Sequence, residues 1–509
     1  MRFEDWQPPE IVHGKLTKWN WLVQNPENLI LGKKTDIGSF TYINAKYGVE
    51  IQEEVQIGSH CSIYSISTID DKQAKVTIKK NARIGTHSTI MPGVTVGENT
   101  IIGAHSFVNK DIPDNVIAYG VPVKVVKLIT ESISTIPKHN FIPLARPYIT
   151  QDEIEMVTST LKSGILSLGT KLKEFEELFA QTIGTNHAVA VNSGTSGLHL
   201  CIRALGIKEG DEVITSPFSF IASANCILYE KATPVFVDVN ENTFNIDPEK
   251  IERAITPRTK ALLIPHIFGQ SCNMTRVMEI AQKHNLKVIE DACESINATH
   301  NGKKLGTFGD AAVFAFYPNK QMTTGEGGMI ITNNKEIYEY CKSAANQGRS
   351  DNMQWLTHDK LGYNYRLDEM SAALGVAQLK KIDLLIGRRQ EIVKAYNKEL
   401  AELPNIILPK EAQGNISSWF VYPVRIKEKR DMLIQKLIEK GVQSKAYFFP
   451  CIHLQPFYRK QFNYWEGSYP IAEKLSRETF ILPLYIELTI KEINQVKQAL
   501  QESLGELQK

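Results

Sequence analysis

The sequence predicts two architectures in one chain: a parallel β-helix over residues 1–127 and an α/β domain with a doubly wound parallel sheet over residues 141–509. Two observations carry the prediction. Between residues 78 and 108 an aliphatic side chain recurs at every sixth position: Ile78, Ile84, Ile90, Val96, Ile102 and Val108. From Phe141 that period is gone, and short apolar runs alternate with helical stretches.

The six-residue period is neither the 3.6 of a helix nor the 2.0 of a strand. It suits a triangular coil with one short strand per side, three hexapeptides per turn and the aliphatic residue stacked inward on its equivalent in the next coil. Upstream the same spacing gives Leu31, Ile37 and Ile43, then Ile51, Ile57 and Ile63 after a shift of two residues. Glycines follow several of these positions, among them Gly32, Gly38, Gly58, Gly85, Gly97 and Gly103. The phase breaks from Ser65 to Lys75 (SISTIDDKQAK), which reads as a loop leaving the coil. Residues 128–140 (LITESISTIPKHN) lose the period and contain Pro137; they read as a linker.

Residues 25–127, including the run IMPGVTVGENTIIGAHSFVNKDIPDNVIAYGVPVKVVK, closely resemble the hexapeptide-repeat acyltransferases. The resemblance implies a left-handed parallel β-helix that binds acetyl-CoA in the groove between neighbouring coils of a trimer. It also implies that the departing loop helps to build the acceptor pocket. Many relatives carry a catalytic His near that loop, and SISTIDD contains none. The histidines at hand are His60, His87 and His105. A His at a coil turn is commonly an exposed or hydrogen-bonded structural residue. Its functional reading is a general base titrating near working pH. His60 and then His87 are the candidates, and an amine acceptor already neutral would need little help.

In the second half, HAVAVN, DEVITS, TPVFVDV, KALLIP and LKVIED read as strands separated by helices, the pattern of a parallel sheet. Four motifs stand out. In AVAVNSGTSGLHLCIRALGI a strand gives way to a small-residue turn and a helix beginning near Thr195. Free N–H groups at a helix start favour a phosphate, although such turns also merely cap helices. Asp291 ends the strand of LKVIEDACES, where a helix cap or a metal ligand would be the plain alternatives. Lys320 lies in the Gly-flanked turn of AAVFAFYPNKQMTTGEGGMIIT, between two apolar runs. Phe220 follows a strand in TSPFSFIASAN. Together these match the needs of pyridoxal phosphate: an anion site, a carboxylate for the pyridine nitrogen, an aromatic face and a lysine that binds the aldehyde and moves protons.

From Phe141 to about Leu507 the chain resembles the DegT-type sugar aminotransferases of the fold type I pyridoxal phosphate class, whose smaller C-terminal subdomain is α+β. FIPLARPYI, SGTSGLHL, PVFVDV, IEDA, FYPNKQMTTGEGG and GYNYRLDEMSAALGVAQL occur in family order. The resemblance implies Lys320 as the Schiff-base residue, Asp291 as the pyridine partner, Phe220 as the stacking ring, and Ser193, Gly194 and Thr195 at the phosphate. Asn364 of GYNYR would reach the phosphate of a partner subunit. Glu294 stands where relatives often carry Gln or His beside the phenolic oxygen, and Ala315 where they often carry Ser. NKQMTTGEGG resembles relatives that aminate C4 of a nucleotide-linked 4-keto-6-deoxysugar. His266, Tyr317, His453 and Tyr458 are further polar aromatics, each equally readable as a packed or surface residue.

The composition excludes other classes. The 509 residues are 42% hydrophobic and 22% charged, with 58 basic and 56 acidic side chains and a formal charge of +2, so no global field favours nucleic acid or an anionic membrane. Seven cysteines, with no CxxC spacing, argue against a disulfide framework and a zinc knuckle, and no metal is expected. The first ten residues lack the apolar core of a signal peptide, and no window approaches a membrane span. A reduced, soluble, cytoplasmic protein is expected. An aminotransferase that makes an amino sugar and an acyltransferase that takes it form a sequence of reactions. The expected function is therefore bifunctional: transamination of a nucleotide-linked 4-keto-6-deoxyhexose with L-glutamate, then N-acetylation with acetyl-CoA, for surface polysaccharide or glycan assembly. The alternatives are a β-helix acting on a different acceptor, a β-helix serving only to oligomerise the enzyme, and a second half that binds or regulates without catalysis. A trimeric and a dimeric interface on one chain close together as a D3 hexamer, which is favoured over a dimer.

Overall fold

The computed structural model describes residues 6–128, 141–350 and 357–508. The chain divides into two compact units, Met1–Ile136 and Pro137–Lys509. Apart from Leu128, which ends the strand Lys124–Leu128, the expected linker lies outside the described residues.

The first unit is a parallel β-helix with three sheets of five, four and six strands. Its registers reproduce the hexapeptide columns. Leu31 pairs with Ile51, Ile51 with Ile78 and Ile78 with Val96 in one sheet. Ile37, Ile57, Ile84 and Ile102 form the second column, and Ile43, Ile63, Ile90 and Val108 the third. All but Leu31 of these twelve are buried. The glycines that follow them are a packing requirement: a Cβ on Gly38 or Gly85 would strike the backbone N of Ser59 or Ala104 in the next coil. The Ser65–Lys75 phase break is a loop between strands Ser62–Tyr64 and Val76–Ile78, with Ile69 at 96% exposure.

Two corners of the coil repeat one left-handed residue each. At one, Asn81, Asn99 and Asn115 have φ of 55°, 55° and 57°, and their side-chain amides hydrogen-bond in a ladder at 2.9 and 3.0 Å. At the other stand His60, His87 and His105, with φ of 58°, 59° and 56°. Their rings stack with centroids 4.7 Å apart at each step.

The second unit is built on a seven-stranded sheet in the order His187–Val191, Gly328–Thr332, Ala311–Ala315, Lys287–Asp291, Thr259–Pro265, Glu212–Thr215, Thr233–Phe236. All five expected strands are present. The sheet departs from the wholly parallel expectation at one strand: Gly328–Thr332 runs antiparallel to both neighbours. It follows Ala311–Ala315 through a loop without a helix, and only an antiparallel return can be made without a crossover. Successive strand residues face two different cores. Ala261, Leu263, Ile289 and Val313 pack with Leu198 and Ile202 on one side, while Leu262, Ile264 and Val288 pack with Val277 and Ile280 on the other. That two-sided burial explains the near-continuous apolar runs.

A smaller α+β subdomain follows. Its antiparallel strands Tyr422–Arg425, Thr479–Leu482 and Lys445–Ala446 pack with helices Ile382–Leu400, Arg430–Glu439 and Ile490–Gln508. Among the described residues no helix is long and apolar enough to cross a membrane.

Candidate active site

The ends of the central strands open into a cavity of about 780 Å³. Ser193, Gly194, Thr195, Phe220, Asp291, Glu294 and Lys320 all line it, although they are spread over more than a hundred residues of sequence. Tyr317 and His266 line it too. The small subdomain contributes Lys445, Tyr447, Phe448 and Phe449.

One end is the start of helix Gly194–Ala204. Ser193 caps it, its Oγ accepting from the Ser196 N–H at 3.1 Å. Gly194 cannot carry a side chain here: a Cβ would lie 2.8 Å from the Ala315 Cβ and 2.9 Å from the Cys293 Sγ. The turn thus leaves N–H groups and small side chains facing the cavity, a cradle for an anion.

At the other end Asp291 terminates strand Lys287–Asp291 and is 8% exposed. Ser223 donates to its Oδ2 at 2.7 Å, and the Cys293 N–H donates to its Oδ1 at 3.3 Å. Ser219 lies 2.8 Å from the Ser223 hydroxyl and extends the chain. The carboxylate is therefore fixed, with capacity left for a cationic N–H from the cavity.

Lys320 stands between these ends, in the loop from Ala315 to Gly328. Its Nζ is 3.4 Å from Glu294 Oε1 and 4.0 Å from the Phe420 ring centroid. The Phe268 N–H donates to Glu294 Oε2 at 2.9 Å. Burial pushes the Glu294 carboxyl above its ordinary range, with Lys320 acting in the opposite sense. Next to the lysine, Asn319 Oδ1 is buried with no hydrogen-bond partner among the described residues. These features fit pyridoxal phosphate: an anion cradle, a fixed carboxylate and a lysine amine face one space, with an unsatisfied buried acceptor beside the lysine. Phe220, 63% exposed, offers an uncovered aromatic face.

The comparisons with known proteins agree with this geometry. Residues 147–501 match the DegT/DnrJ/EryC1/StrS aminotransferase family. The chain belongs to this family. Residues 75–110 match the bacterial transferase hexapeptide repeat, so an aminotransferase domain follows a hexapeptide-repeat unit. The GDP-perosamine synthase of Caulobacter vibrioides is 39% identical over 369 residues, covering 71% of this chain and 98% of that protein. Among solved structures, S. venezuelae DesV in complex with a ketimine intermediate is 34% identical with a TM-score of 0.68, covering 71% of this chain and 98% of that one. The PLP-form of a putative sugar aminotransferase from Streptococcus pneumoniae is 27% identical with a TM-score of 0.69, covering 72% and 99%. Pyridoxal phosphate is the cofactor of the second unit.

Asn364 is exposed and lies outside this cavity; its carbonyl accepts from Asn192 Nδ2 at 3.3 Å. His453 and Tyr458 are packed residues: His453 pairs with Glu473 at 3.0 Å, and Tyr458 donates to Asn225 at 2.8 Å. Burial lowers the His453 pKa. Ser219 and Ser223 had no signal of their own in the sequence, although they lie in the run that carries Phe220. In the first unit, His60, His87 and His105 are exposed equivalents on one corner, and nothing in their backbone separates them.

Proposed function

We propose that the second unit transaminates a nucleotide-linked 4-keto-6-deoxyhexose at C4 with L-glutamate, and that the first unit N-acetylates the resulting amine with acetyl-CoA. The observation that carries the reading is the convergence of Lys320, Asp291 and the Ser193–Thr195 turn on one cavity in a chain that also bears a transferase hexapeptide repeat. The name of the Caulobacter relative supports a nucleotide sugar as substrate. The product would enter surface polysaccharide or glycan assembly.

Ser193, Gly194 and Thr195 would hold the cofactor's phosphate, Asp291 its ring nitrogen, and Phe220 its ring face, with Glu294 near its phenolic oxygen. The cofactor supplies an electron sink for the carbon that loses a proton. Lys320 would anchor it covalently at rest. With its amine free, Lys320 Nζ would take the proton from Cα of glutamate and hand it to the cofactor, and in the second half-reaction would carry it from the cofactor to the sugar carbon being aminated. Asp291, held by Ser223, would keep the ring nitrogen protonated. Glu294 faces the lysine amine when it is free. Asn364, exposed beyond its own cavity, is assigned to the phosphate of a second copy.

In the first unit His60, then His87, is assigned to the proton leaving the acceptor amine. The protein would assemble through a two-fold at the aminotransferase and a three-fold at the β-helix, giving a hexamer; light scattering on the full chain tests this.

A two-stage assay tests the whole reading. The protein is given glutamate and a panel of 4-keto nucleotide sugars, then acetyl-CoA, with mass spectrometry after each stage. An amine followed by its acetamide is the expected outcome. An amine that acetyl-CoA leaves unchanged would reduce the β-helix to an oligomerising unit or one with another acceptor.

A further inference from the structure

The helix that begins at the anion cradle carries a second polar group on its flank. His199 and Arg203 lie four residues apart on helix Gly194–Ala204 and so share a face. Both engage Glu230. His199 Nε2 is 2.7 Å from Glu230 Oε1, and Arg203 Nη1 donates to both Glu230 oxygens at 2.9 and 3.2 Å. Each also reaches a tyrosine of GYNYR: Arg203 Nη1 donates to the Tyr363 hydroxyl at 2.8 Å, and His199 Nδ1 lies 3.2 Å from the Tyr365 hydroxyl.

Burial lowers the His199 pKa and raises those of Tyr363 and Tyr365, so the imidazole is neutral and both phenols keep their protons. One proton arrangement satisfies these partners. Nε2–H donates to Glu230, and the Tyr365 O–H donates to Nδ1. The two tyrosine rings stack 4.8 Å apart at 11°.

The segment held in this way is bonded to the turn at the cavity. The Asn192 N–H donates to the Tyr365 carbonyl at 2.8 Å, and Asn192 Nδ2 donates to the Asn364 carbonyl at 3.3 Å. Asn192 Oδ1 in turn accepts from Ser196 Oγ at 2.7 Å, within the first turn of the helix. None of His199, Arg203, Glu230, Tyr363 and Tyr365 lines the cavity. A half-buried charge pair adds little stability on its own. This one fixes geometry, because Glu230 accepts from both His199 and Arg203, and Arg203 Nη1 reaches Tyr363 as well.

We propose that His199, Arg203, Glu230, Tyr363 and Tyr365 form a latch whose task is to position the Asn192–Ser196 turn for the cofactor's phosphate. This rests on the cofactor reading above. The latch residues are positioning residues: they act through Asn192 and touch neither cofactor nor substrate.

The test compares pyridoxal phosphate with pyridoxal, which lacks the phosphate, as ligands of the full-length protein freed of cofactor. Tyr363→Phe and Tyr365→Phe each remove one hydroxyl, and Glu230→Gln removes the shared charge. Each tyrosine variant is expected to lose about tenfold in affinity for pyridoxal phosphate, on the scale of one hydrogen bond, with pyridoxal affinity close to wild type; Glu230→Gln, which also leaves Arg203 without its carboxylate, is expected to lose at least as much affinity and to lower the thermal midpoint. Wild-type affinity for pyridoxal phosphate in both tyrosine variants overturns the latch. So does an equal loss for both ligands, which would mean general loosening. Should Glu230→Gln fail to fold, the tyrosine variants decide. A wild-type protein that does not prefer pyridoxal phosphate over pyridoxal sinks the phosphate assignment itself, and the latch with it.

Discussion

The two units store their information differently. In the β-helix every sixth residue repeats an instruction, and the structure is that instruction executed: three columns of aliphatic residues in register. The same repetition makes its candidate bases indistinguishable, since His60, His87 and His105 occupy one corner with nearly equal φ. In the aminotransferase unit no period exists. Its chemistry lies where the strand pattern stops, at Asn192, at Asp291 and in the Ala315–Gly328 loop, and each stop differs from the others. A repeat makes a fold legible and conceals a site; irregular ends at regular strands do the reverse.

The sharpest break between the units is expected from Lys320→Ala. It should abolish transamination, by at least about a thousandfold given the loss of both covalent anchor and proton carrier, and remove borohydride-fixable cofactor. Acetylation of a supplied amino sugar should stay at the wild-type rate; a parallel loss would show that the activities are not separable. Asp291→Asn comes next, with turnover down on the order of a hundredfold or more because the ring nitrogen loses its charged partner. Ser223→Ala should lose a smaller part of the same, about tenfold. An Asp291→Asn protein that turns over normally ends that assignment.

His60→Asn sharpens the comparison from the other side. Asn tolerates the left-handed turn, so the coil should stay intact while acetyl transfer slows by about a hundredfold, the usual worth of a general base. Full rates in the His60→Asn and His87→Asn proteins would leave the corner with a purely structural role.

Ile90→Ala should destabilise the first unit by about 2–5 kcal/mol through the cavity it opens. The visible absorbance of the second unit reports whether the effect stays local.

The smallest effect concerns Glu153. Burial alone would raise its pKa, but Lys381 at 2.8 Å, Thr150 and Gln378 together hold it down at about 2. Its folded value lies below the unfolded 4.5, so its stabilisation is complete above pH 4.5 and is lost as pH falls toward about 2. Glu153→Gln should lower the midpoint at neutral pH and flatten its acid-side decline; an unchanged slope would contradict the assignment.

Much of this was readable from residues alone. The aliphatic columns needed only a count of six. Lys320 and Asp291 were visible because a lysine between apolar runs and a carboxylate at a strand end have few ordinary explanations. Ser223 was not legible, because its role depends on Asp291, 68 residues away in sequence. His453 and Tyr458 drew notice as polar aromatics, yet burial and single hydrogen-bond partners make them core. The antiparallel strand Gly328–Thr332 escaped because its apolar run carries no sign of direction; only the missing helix before it does.

The register of the β-helix has a consequence for how such a chain can change. Ile78 pairs with Val96, Ile84 with Ile102 and Ile90 with Val108, so one coil consumes 18 residues and adds one strand to each sheet. Its height is a counted quantity, growing in steps of about 4.8 Å. A duplication of one whole coil inserts a storey without disturbing the columns above and below, whereas one extra residue inside a strand would turn its inward side chains outward. The two-residue shift before Ile51 and the Ser65–Lys75 excursion both sit at corners, and the columns pass them unbroken. Corners are thus the places where foreign loops can be mounted as cassettes, with the floors of the building left standing.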